Sequence, residues 1–346
     1  MKVFGLFFVL LSILTPKAVN ADCSDCLKLE TFWNIYGSRI NDGPCFINGN
    51  NKVCYKKGGG NMYCNEKDPK CNISDDGKPQ YPPNSGTPEQ CDSVPTVDTD
   101  TCSSDTEFYK QTYPSTTNHT MVKYGCEAGG KCQDACSYGF SSQAEIDFIV
   151  DKHNELRAKV ANCEEDQAFN STKGQPCAKN MKKLKWSDEL AKVAQRWAQA
   201  CDGYHDEDGD RVVPDFPDVG QNWARYEVPG IEYLQGSHDL LIQIWYNEVN
   251  DLNPEAVSSF HKAGTSRPGK PTGHYTQMVW AATTHVGCGS IFYKYPKDDS
   301  TWFGKVLVCN YGPAGNFLGD SIYDIASDPS EVGTGCTGEV ENGLCV

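Results

Sequence analysis

Three stretches after residue 140 carry apolar residues at the three- and four-residue intervals of an amphipathic helix. They are residues 142–160, 187–201 and 239–250, and the first begins with SQAE, a capping-box sequence. Two polar residues interrupt the apolar sides of these helices. His153 in the first stretch is predicted to be a core histidine. Glu248 in the third either reaches water at the end of the stripe or is paired inside a cleft.

Strand-like runs follow the third predicted helix. HVGCGSIFYKY and WFGKVLVCNY are separated by the polar turn PKDDST and predict a β-hairpin, in which Cys288 and Cys309 are candidates for a cross-strand disulfide. Upstream, GHYTQMVWAAT (residues 273–283) follows the breaker-rich SRPGKPT and predicts a strand that starts at the mouth of a cleft. His274 in this run is a metal ligand, a general base or a buried histidine with one hydrogen bond. Helices and strands without regular alternation predict the α+β class.

The N-terminal third of the chain has a different pattern. Residues 1–21 combine a positive start, an apolar centre and small residues before a cleavage point, which predicts a secretory signal peptide too short to span a membrane. Residues 22–71 contain six cysteines but little periodic apolar pattern, so they are predicted to need disulfides to fold. Residues 72–125 are rich in Pro, Ser, Thr and Asp and predict an extended, hydrated linker that Cys91 and Cys102 pin once.

The cysteines indicate an oxidising compartment. All 18 follow the predicted signal peptide, and an even number in an exported chain favours up to nine disulfides over free catalytic thiols. Cys163 and Cys177 are predicted to close one inserted loop, and Cys201 is predicted to join the end of the second helix to an upstream segment. Cys336 and Cys345 are predicted to close a small loop near the end of the chain.

Charge narrows the classes of partner. The net charge of −15 argues against nucleic acid and favours a well-solvated extracellular protein, with an acidic surface for cationic partners as the alternative. Some of this charge lies in CDGYHDEDGD around His205, where the carboxylates lack the spacing of a helix-loop-helix calcium site and predict a solvated loop. N-x-S/T sequences at Asn72, Asn118 and Asn170 are predicted glycosylation sites.

Several of these stretches together resemble one family. GHYTQMVWAAT (273–283) and VLVCNYGPAGNF (306–317) are similar to the two signature motifs of the CAP superfamily, the cysteine-rich secretory, antigen 5 and pathogenesis-related proteins. HNELR, VGQNWA and IWYNEV are supporting matches, and the chain looks most similar to the arthropod venom allergen 5 group. The resemblance covers about residues 126–325 and leaves residues 326–346 as a tail. It implies an α+β fold, a three-layer α-β-α sandwich with a central, mostly antiparallel sheet and a large cleft.

The resemblance also implies a set of site residues. In the family two histidines and two acidic residues line the cleft, and these positions fall on His205, Gln221, Glu248 and His274. Many relatives have Gly-Glu-Asn where this chain has Gly-Gln-Asn, so Gln221 offers an amide to water or a histidine in place of a carboxylate. His205, Glu248 and His274 are expected to suit zinc, which takes such nitrogen and oxygen ligands and can activate water.

Three classes of function follow from these observations. The resemblance and the incomplete catalytic set favour a secreted, non-enzymatic binding or toxin-type component of venom, saliva or haemolymph, and the family implies a lipid, sterol or small hydrophobic ligand in some members. A metal-dependent or serine-type protease is the runner-up, although Ser258 and Ser259 have the pattern of solvated serines. The third class is a modulator of an ion channel or of another host protein. The resemblance ties that activity to a C-terminal module with many cysteines. Here only Cys336 and Cys345 follow the expected CAP domain, so a channel-active role is expected to come from residues 22–120 or from the CAP surface.

Overall fold

A computed structural model describes residues 91, 96–140, 142–229, 237–261 and 263–346, together with the backbone of four short strands nearer the N-terminus. The chain forms two compact units, residues 1–81 and 82–346. Apart from those strands, the predicted signal peptide and the cysteine-rich segment 22–71 lie outside the described residues, as does Asn72.

In the first unit the four strands form one sheet in the order β1–β4–β3–β2, and β1 is parallel to β4 while the other pairs are antiparallel. These strands are β1 (Val19–Asn20), β2 (Phe46–Asn48), β3 (Asn51–Tyr55) and β4 (Asn61–Asn65).

The second unit contains the helices and the larger sheet. Its helices are α1 (Thr99–Thr112), α2 (Thr120–Lys123), α3 (Gln143–Ala161), α4 (Asp188–Ala200), α5 (Ser237–Tyr246) and α6 (Gly273–Met278). Its strands are β5 (Ala135–Tyr138), β6 (Cys177–Ala178), β7 (Lys185–Trp186), β8 (Gly220–Val228), β9 (His285–Lys297), β10 (Ser300–Gly312), β11 (Ile325–Ala326), β12 (Val340–Glu341) and β13 (Leu344–Cys345).

The central sheet has the order β5–β9–β10–β8, with antiparallel neighbours, and β7 pairs with β9 in parallel. Its long hairpin, β9–β10, is the one that the sequence predicts, and a disulfide joins the facing residues Cys288 and Cys309. A Cβ on Gly289 would lie 2.2 Å from the Cα of Gln195 in α4, so glycine is required for the helix to lie this close.

Successive residues of β10 point to opposite faces, and both faces are covered. Val306 and Val308 pack in one core cluster with Trp197 of α4. On the other face the hydroxyl of Tyr311 bonds to His153 of α3. The expected α+β fold, a three-layer α-β-α sandwich, is therefore confirmed.

The predicted helices are present, but the predicted strand at 273–283 is wrong. The third predicted helix ends at Tyr246 and continues as a 3-10 turn, Asn247–Asp251. The start of the 273–283 run is the helix α6. The N–H groups at the start of a helix have no acceptor within the helix. In α6 the carboxylate of Glu248 supplies one, because it accepts from the backbone N–H groups of His274 and Tyr275.

The expectation of an extended, hydrated segment is wrong for Thr99–Thr112, which is the helix α1. Asp98 caps it by accepting from two backbone amides of the first turn. Tyr109 on this polar helix is fully buried, and its hydroxyl donates to Glu189 of α4 over 3.2 Å. One buried aromatic side chain therefore packs a segment whose composition resembles that of a linker against α4.

Disulfides fasten several of these elements, and a pairing of Cys91 with Cys102 does not occur. Cys102 instead joins the first turn of α1 to Cys126 after α2, and Cys201 joins the end of α4 to the segment before β5. The disulfides of the described residues are Cys91–Cys136, Cys102–Cys126, Cys132–Cys201, Cys163–Cys177, Cys288–Cys309 and Cys336–Cys345. No helix among the described residues is long and apolar enough to cross a membrane.

Candidate functional site

The structure brings His205, Gln221, Glu248 and His274 together from four elements. His205 lies in the loop after α4, Gln221 is the second residue of β8, Glu248 lies in the 3-10 turn after α5, and His274 is the second residue of α6. The centroids of the two imidazole rings are 5.7 Å apart. The residues that the family resemblance implies as a set therefore form one site.

Glu248 positions His274 by three hydrogen bonds. Its Oε1 accepts from Nδ1 of His274 over 2.7 Å, and its Oε2 accepts from the backbone amides of His274 and Tyr275 over 2.9 and 3.1 Å. The ring of His274 also stacks on Trp245 of α5, with centroids 6.2 Å apart. Of the two sequence-based readings of Glu248, the paired group in a cleft is correct.

Gln221 holds the other histidine. Its Oε1 lies 3.0 Å from Nδ1 of His205. The pKa of His205 is lowered chiefly because neighbouring groups reduce its hydration, while the bond to Gln221 opposes that shift and the nearby His274 adds to it. The imidazole of His205 therefore favours its neutral form, which is the form that binds metals.

The solvated-loop prediction is wrong for one carboxylate of the acidic turn. Asp206 is buried, and its Oδ1 accepts from Nε of Arg211 over 2.6 Å, while Asp208 meets the same guanidinium from an exposed position. A cavity of about 500 Å³ opens beside this turn, with His205, Gln221 and Phe317 among its lining residues. The sequence signal for the buried ion pair is Arg211, a cation that directly follows the acidic stretch DEDGD, residues 206–210.

His153 lies outside the site, in the core, as predicted. Its Nδ1–H donates to the carbonyl of Ile149 over 2.8 Å, and its Nε2 accepts from the hydroxyl of Tyr311 over 2.8 Å. That hydroxyl also accepts from Asn222, which in turn donates to the carbonyl of His274. Burial lowers the pKa of His153 to about 4, so the ring stays neutral at the base of the site.

Arg157 explains the last residue of HNELR. Its fully buried guanidinium donates to five backbone carbonyls, one at the end of α6, three in the segment that follows it and one before β7. They belong to Met278, Trp280, Ala281, Thr283 and Lys182. These bonds fix the C-terminal end of the helix that carries His274. Sequence reasoning missed this role because a charged residue on a helix is usually solvated.

The three-ligand zinc set of His205, Glu248 and His274 is not formed. The described residues contain no group of three or more His, Cys, Asp or Glu side chains that could hold a metal ion together. Both oxygens of Glu248 accept from N–H donors of α6, so this carboxylate orients His274 and its helix. Within the described part of the chain, neither Nε2 atom of the two imidazoles has a hydrogen-bond partner, so two nitrogen donors remain for a cation.

The other candidate residues lie in separate places. Ser258 donates its hydroxyl to the carbonyl of Glu255, three residues back in the same turn, and Ser259 follows the end of that turn. Asn118 and Asn170 are exposed. Glycosylation of these two asparagines stays a prediction.

Comparisons with known proteins agree with these features. The sequence model of the Cysteine-rich secretory protein family (CAP) matches residues 150–311. Venom allergen 5 of Rhynchium brunneum is 42% identical over 221 residues, which are 63% of this chain and 90% of that protein. Venom allergen 3 of Solenopsis invicta is 44% identical over 208 residues, which are 60% of this chain and 83% of that protein.

One similar solved structure is the crystal structure of NaASP2 with Zn²⁺, at 25% identity and a TM-score of 0.45, covering 59% of this chain and 96% of that chain. The match to venom allergen 5 of Rhynchium brunneum is the stronger finding, since it joins 42% identity to 90% coverage of that relative. The chain belongs to the cysteine-rich secretory protein (CAP) family.

Proposed function

We propose that this chain is a secreted, non-enzymatic binding protein of the venom allergen 5 type, whose cleft holds a divalent cation between His205 and His274. The observation that supports the cation site is the pair of imidazoles whose Nδ1 atoms are already engaged, by Gln221 and by Glu248. In such a pair the two Nε2 atoms are the donors left for a metal.

Zinc is the cation that suits this donor set. It accepts neutral imidazole nitrogens and tolerates water in its remaining positions, whereas calcium and magnesium prefer oxygen ligands. His205 and His274 would hold the ion, and Glu248 and Gln221 would orient the rings. A zinc ion there would supply a Lewis acid and an open position for a ligand.

Binding is favoured over hydrolysis by the partners of the two histidines. The hydrogen-bond partner of His205 is an amide, and that of His274 is a carboxylate that also holds two backbone amides. Neither partner is a hydroxyl or thiol nucleophile. Secretion is supported by the disulfides of the described residues and by the similarity to venom allergens.

An apolar ligand is a second candidate, because one groove offers it a place away from the histidines. This groove has a volume of about 670 Å³ and lies between α1 and α4, with Phe140, Ile146 and Trp186 among its lining residues. Its apolar side chains suit a small hydrophobic molecule better than a cation. Mass spectrometry of organic extracts of the protein purified from its native source tests this, and extracts without lipid would contradict it.

Calorimetric titration with zinc tests the cation site. We expect one zinc ion per chain in the wild type, and no measurable binding in His205→Ala or His274→Ala, since each change removes one of two nitrogen donors. His261→Asn is the matched control, because His261 is exposed and away from the site. Zinc binding that survives both alanine changes would contradict the proposal.

Proteolysis assays on the same variants test the runner-up. Cleavage of a denatured protein substrate should stay at the background level for the wild type, with or without zinc. Cleavage that depends on zinc and disappears in His274→Ala would favour the metal-dependent protease instead.

A further inference from the structure

A buried carboxylate stands directly behind Gln221. Asp206 is nearly inaccessible, and its Oδ1 accepts from Nε of Arg211 and from Nε2 of Gln221, over 2.6 and 2.9 Å. Its Oδ2 accepts from the hydroxyl of Thr120 over 2.6 Å. Both oxygens are therefore held by donors from three different segments of the chain.

These contacts decide which way the amide of Gln221 points. Its Nε2 faces two acceptor oxygens, Oδ1 of Asp206 and, at 3.1 Å, Oδ1 of Asn310. An amide oxygen in that place would meet two oxygens and no donor, which a buried group does not tolerate. Oε1 of Gln221 must then face His205, and an oxygen acceptor requires a proton on the facing Nδ1.

We propose that Thr120 and Asp206 are positioning residues for His205: they fix the amide of Gln221, which keeps the histidine proton on Nδ1 and leaves the lone pair of Nε2 in the cleft. The value of this tautomer for metal binding rests on the function proposed above. The tautomer itself is a property of the metal-free chain.

Thr120 comes from a part of the chain that the family model does not match. It lies before residues 150–311, which the family model matches, and it is fully buried as the first residue of α2. Its neighbour His119 seats the segment by donating from Nε2 to the carbonyl of Val212 over 2.8 Å, and its Nδ1 accepts from the amide of Met121. The segment that carries α1 and α2 therefore supplies the hydroxyl of Thr120, which donates to Asp206 behind Gln221.

The geometry also accounts for an amide at position 221. A glutamate there would set a carboxylate oxygen against Asp206 and Asn310, in the place where Nε2 now donates to both. Two negatively charged groups at such a short distance repel each other. Gln221 is thus matched to both neighbours, because its Nε2 donates to Asp206 while its Oε1 accepts from His205.

Nitrogen-15 NMR of histidine-labelled, metal-free protein tests the proposal, because the shifts of Nδ1 and Nε2 report which atom carries the proton. The spectra are recorded at a pH where the ring is neutral, and His205→Gln identifies the signals. Thr120→Val removes the hydroxyl and keeps the shape of the side chain, while Thr120→Ser keeps the hydroxyl. Gln221→Met removes the amide.

We expect a single Nδ1–H tautomer of His205 in the wild type and in Thr120→Ser. A second set of signals, from the Nε2–H tautomer, should appear in Thr120→Val and in Gln221→Met, and zinc affinity in Thr120→Val should fall about 10-fold. A wild type with the proton on Nε2, or a folded Thr120→Val with the wild-type signals, would overturn the proposal. If the expected tautomers are found but neither the wild type nor any variant binds zinc, the roles of Thr120 and Asp206 are supported. Only the cation site is then refuted.

Discussion

Glu248 shows how one side chain serves both the fold and the site. One oxygen orients the imidazole of His274, and the other accepts from two backbone amides at the start of α6. A carboxylate is suited to both tasks, because it has only acceptors and the three groups around it are all donors. The position of His274 and the start of its helix therefore depend on the same carboxylate group, that of Glu248.

Glu248→Gln is expected to weaken zinc binding by about 10- to 100-fold, the usual effect of removing a group that orients a metal ligand. The amide has one acceptor and one donor, so it cannot satisfy both Nδ1 of His274 and the amides of α6. Calorimetric titration with zinc measures the change. Glu155→Gln is the control, since that carboxylate is exposed and its ion pair in the described part of the chain is with Lys152.

A stability measurement on the same pair of variants separates the two tasks. Unfolding in urea should show a loss of about 2 kcal/mol for Glu248→Gln, because bonds to a charged group are lost at a helix start, and almost none for Glu155→Gln. Wild-type zinc affinity in Glu248→Gln would show that the carboxylate does not orient His274.

At the scale of elements, α1 is a helix of 14 residues that buries one side chain. That side chain belongs to Tyr109, whose ring lies against His119 at 4.6 Å and Tyr113 at 6.0 Å between centroids. The neighbouring Phe108 is 47% exposed. Two adjacent aromatic residues on one helix thus have opposite environments.

Tyr109→Ala is expected to destabilise the second unit by about 3–5 kcal/mol, the usual cost of truncating a buried aromatic side chain. Phe108→Ala should change stability by less than about 1 kcal/mol, because about half of that side chain is already in water. Urea unfolding followed by tryptophan fluorescence measures both. Equal effects of the two changes would show that α1 is not anchored through Tyr109.

The sequence predicts the elements whose signals are local. Periodic apolar residues with a Ser cap locate α4, and the turn between two β-rich runs locates the β9–β10 hairpin. It does not predict α6, because GHYTQMVWAAT contains β-branched and aromatic residues and its helix start is satisfied by Glu248, 26 residues before His274. It misses α1 for a similar reason, since the anchor Tyr109 is one residue in a polar segment.

The membership of the site can be predicted from the sequence, but the roles of its residues cannot. Family resemblance, rather than spacing, brings His205, Gln221, Glu248 and His274 into one set. The roles within the set depend on contacts that no motif records. Glu248 is a ligand candidate by residue type, but the backbone amides around it make it a positioning group. The partner of Gln221 is Asp206, which composition alone assigns to a solvated acidic loop.

Across the whole molecule, most histidines are held in the neutral form. Loss of hydration is the main cause of a lowered pKa at each of five histidines, which are His119, His153, His205, His238 and His285. Each binds its proton more readily in the unfolded chain, where the pKa is about 6.5. Acidification below that value therefore favours unfolding, and all five contributions have the same sign.

His153→Gln tests this pH dependence at one site. With a pKa of about 4 in the folded chain, His153 should cost the wild type about 2 kcal/mol of unfolding free energy between pH 7 and pH 5. Glutamine does not titrate, so the curve for His153→Gln should be lower at pH 7 but shallower by that amount. The window stays above the range in which most carboxylates protonate, which keeps their contribution small.

Urea unfolding at several pH values between 7 and 5 gives the two curves, and His261→Asn, at an exposed position, should run parallel to the wild type. Parallel curves for wild type and His153→Gln would mean that His153 already carries its proton in the folded chain. That result would also contradict the hydrogen bond in which Nε2 of His153 accepts from the hydroxyl of Tyr311, because a protonated imidazole has no acceptor. One set of unfolding curves therefore tests both the contribution of His153 to stability and its hydrogen bond with Tyr311 beneath the site.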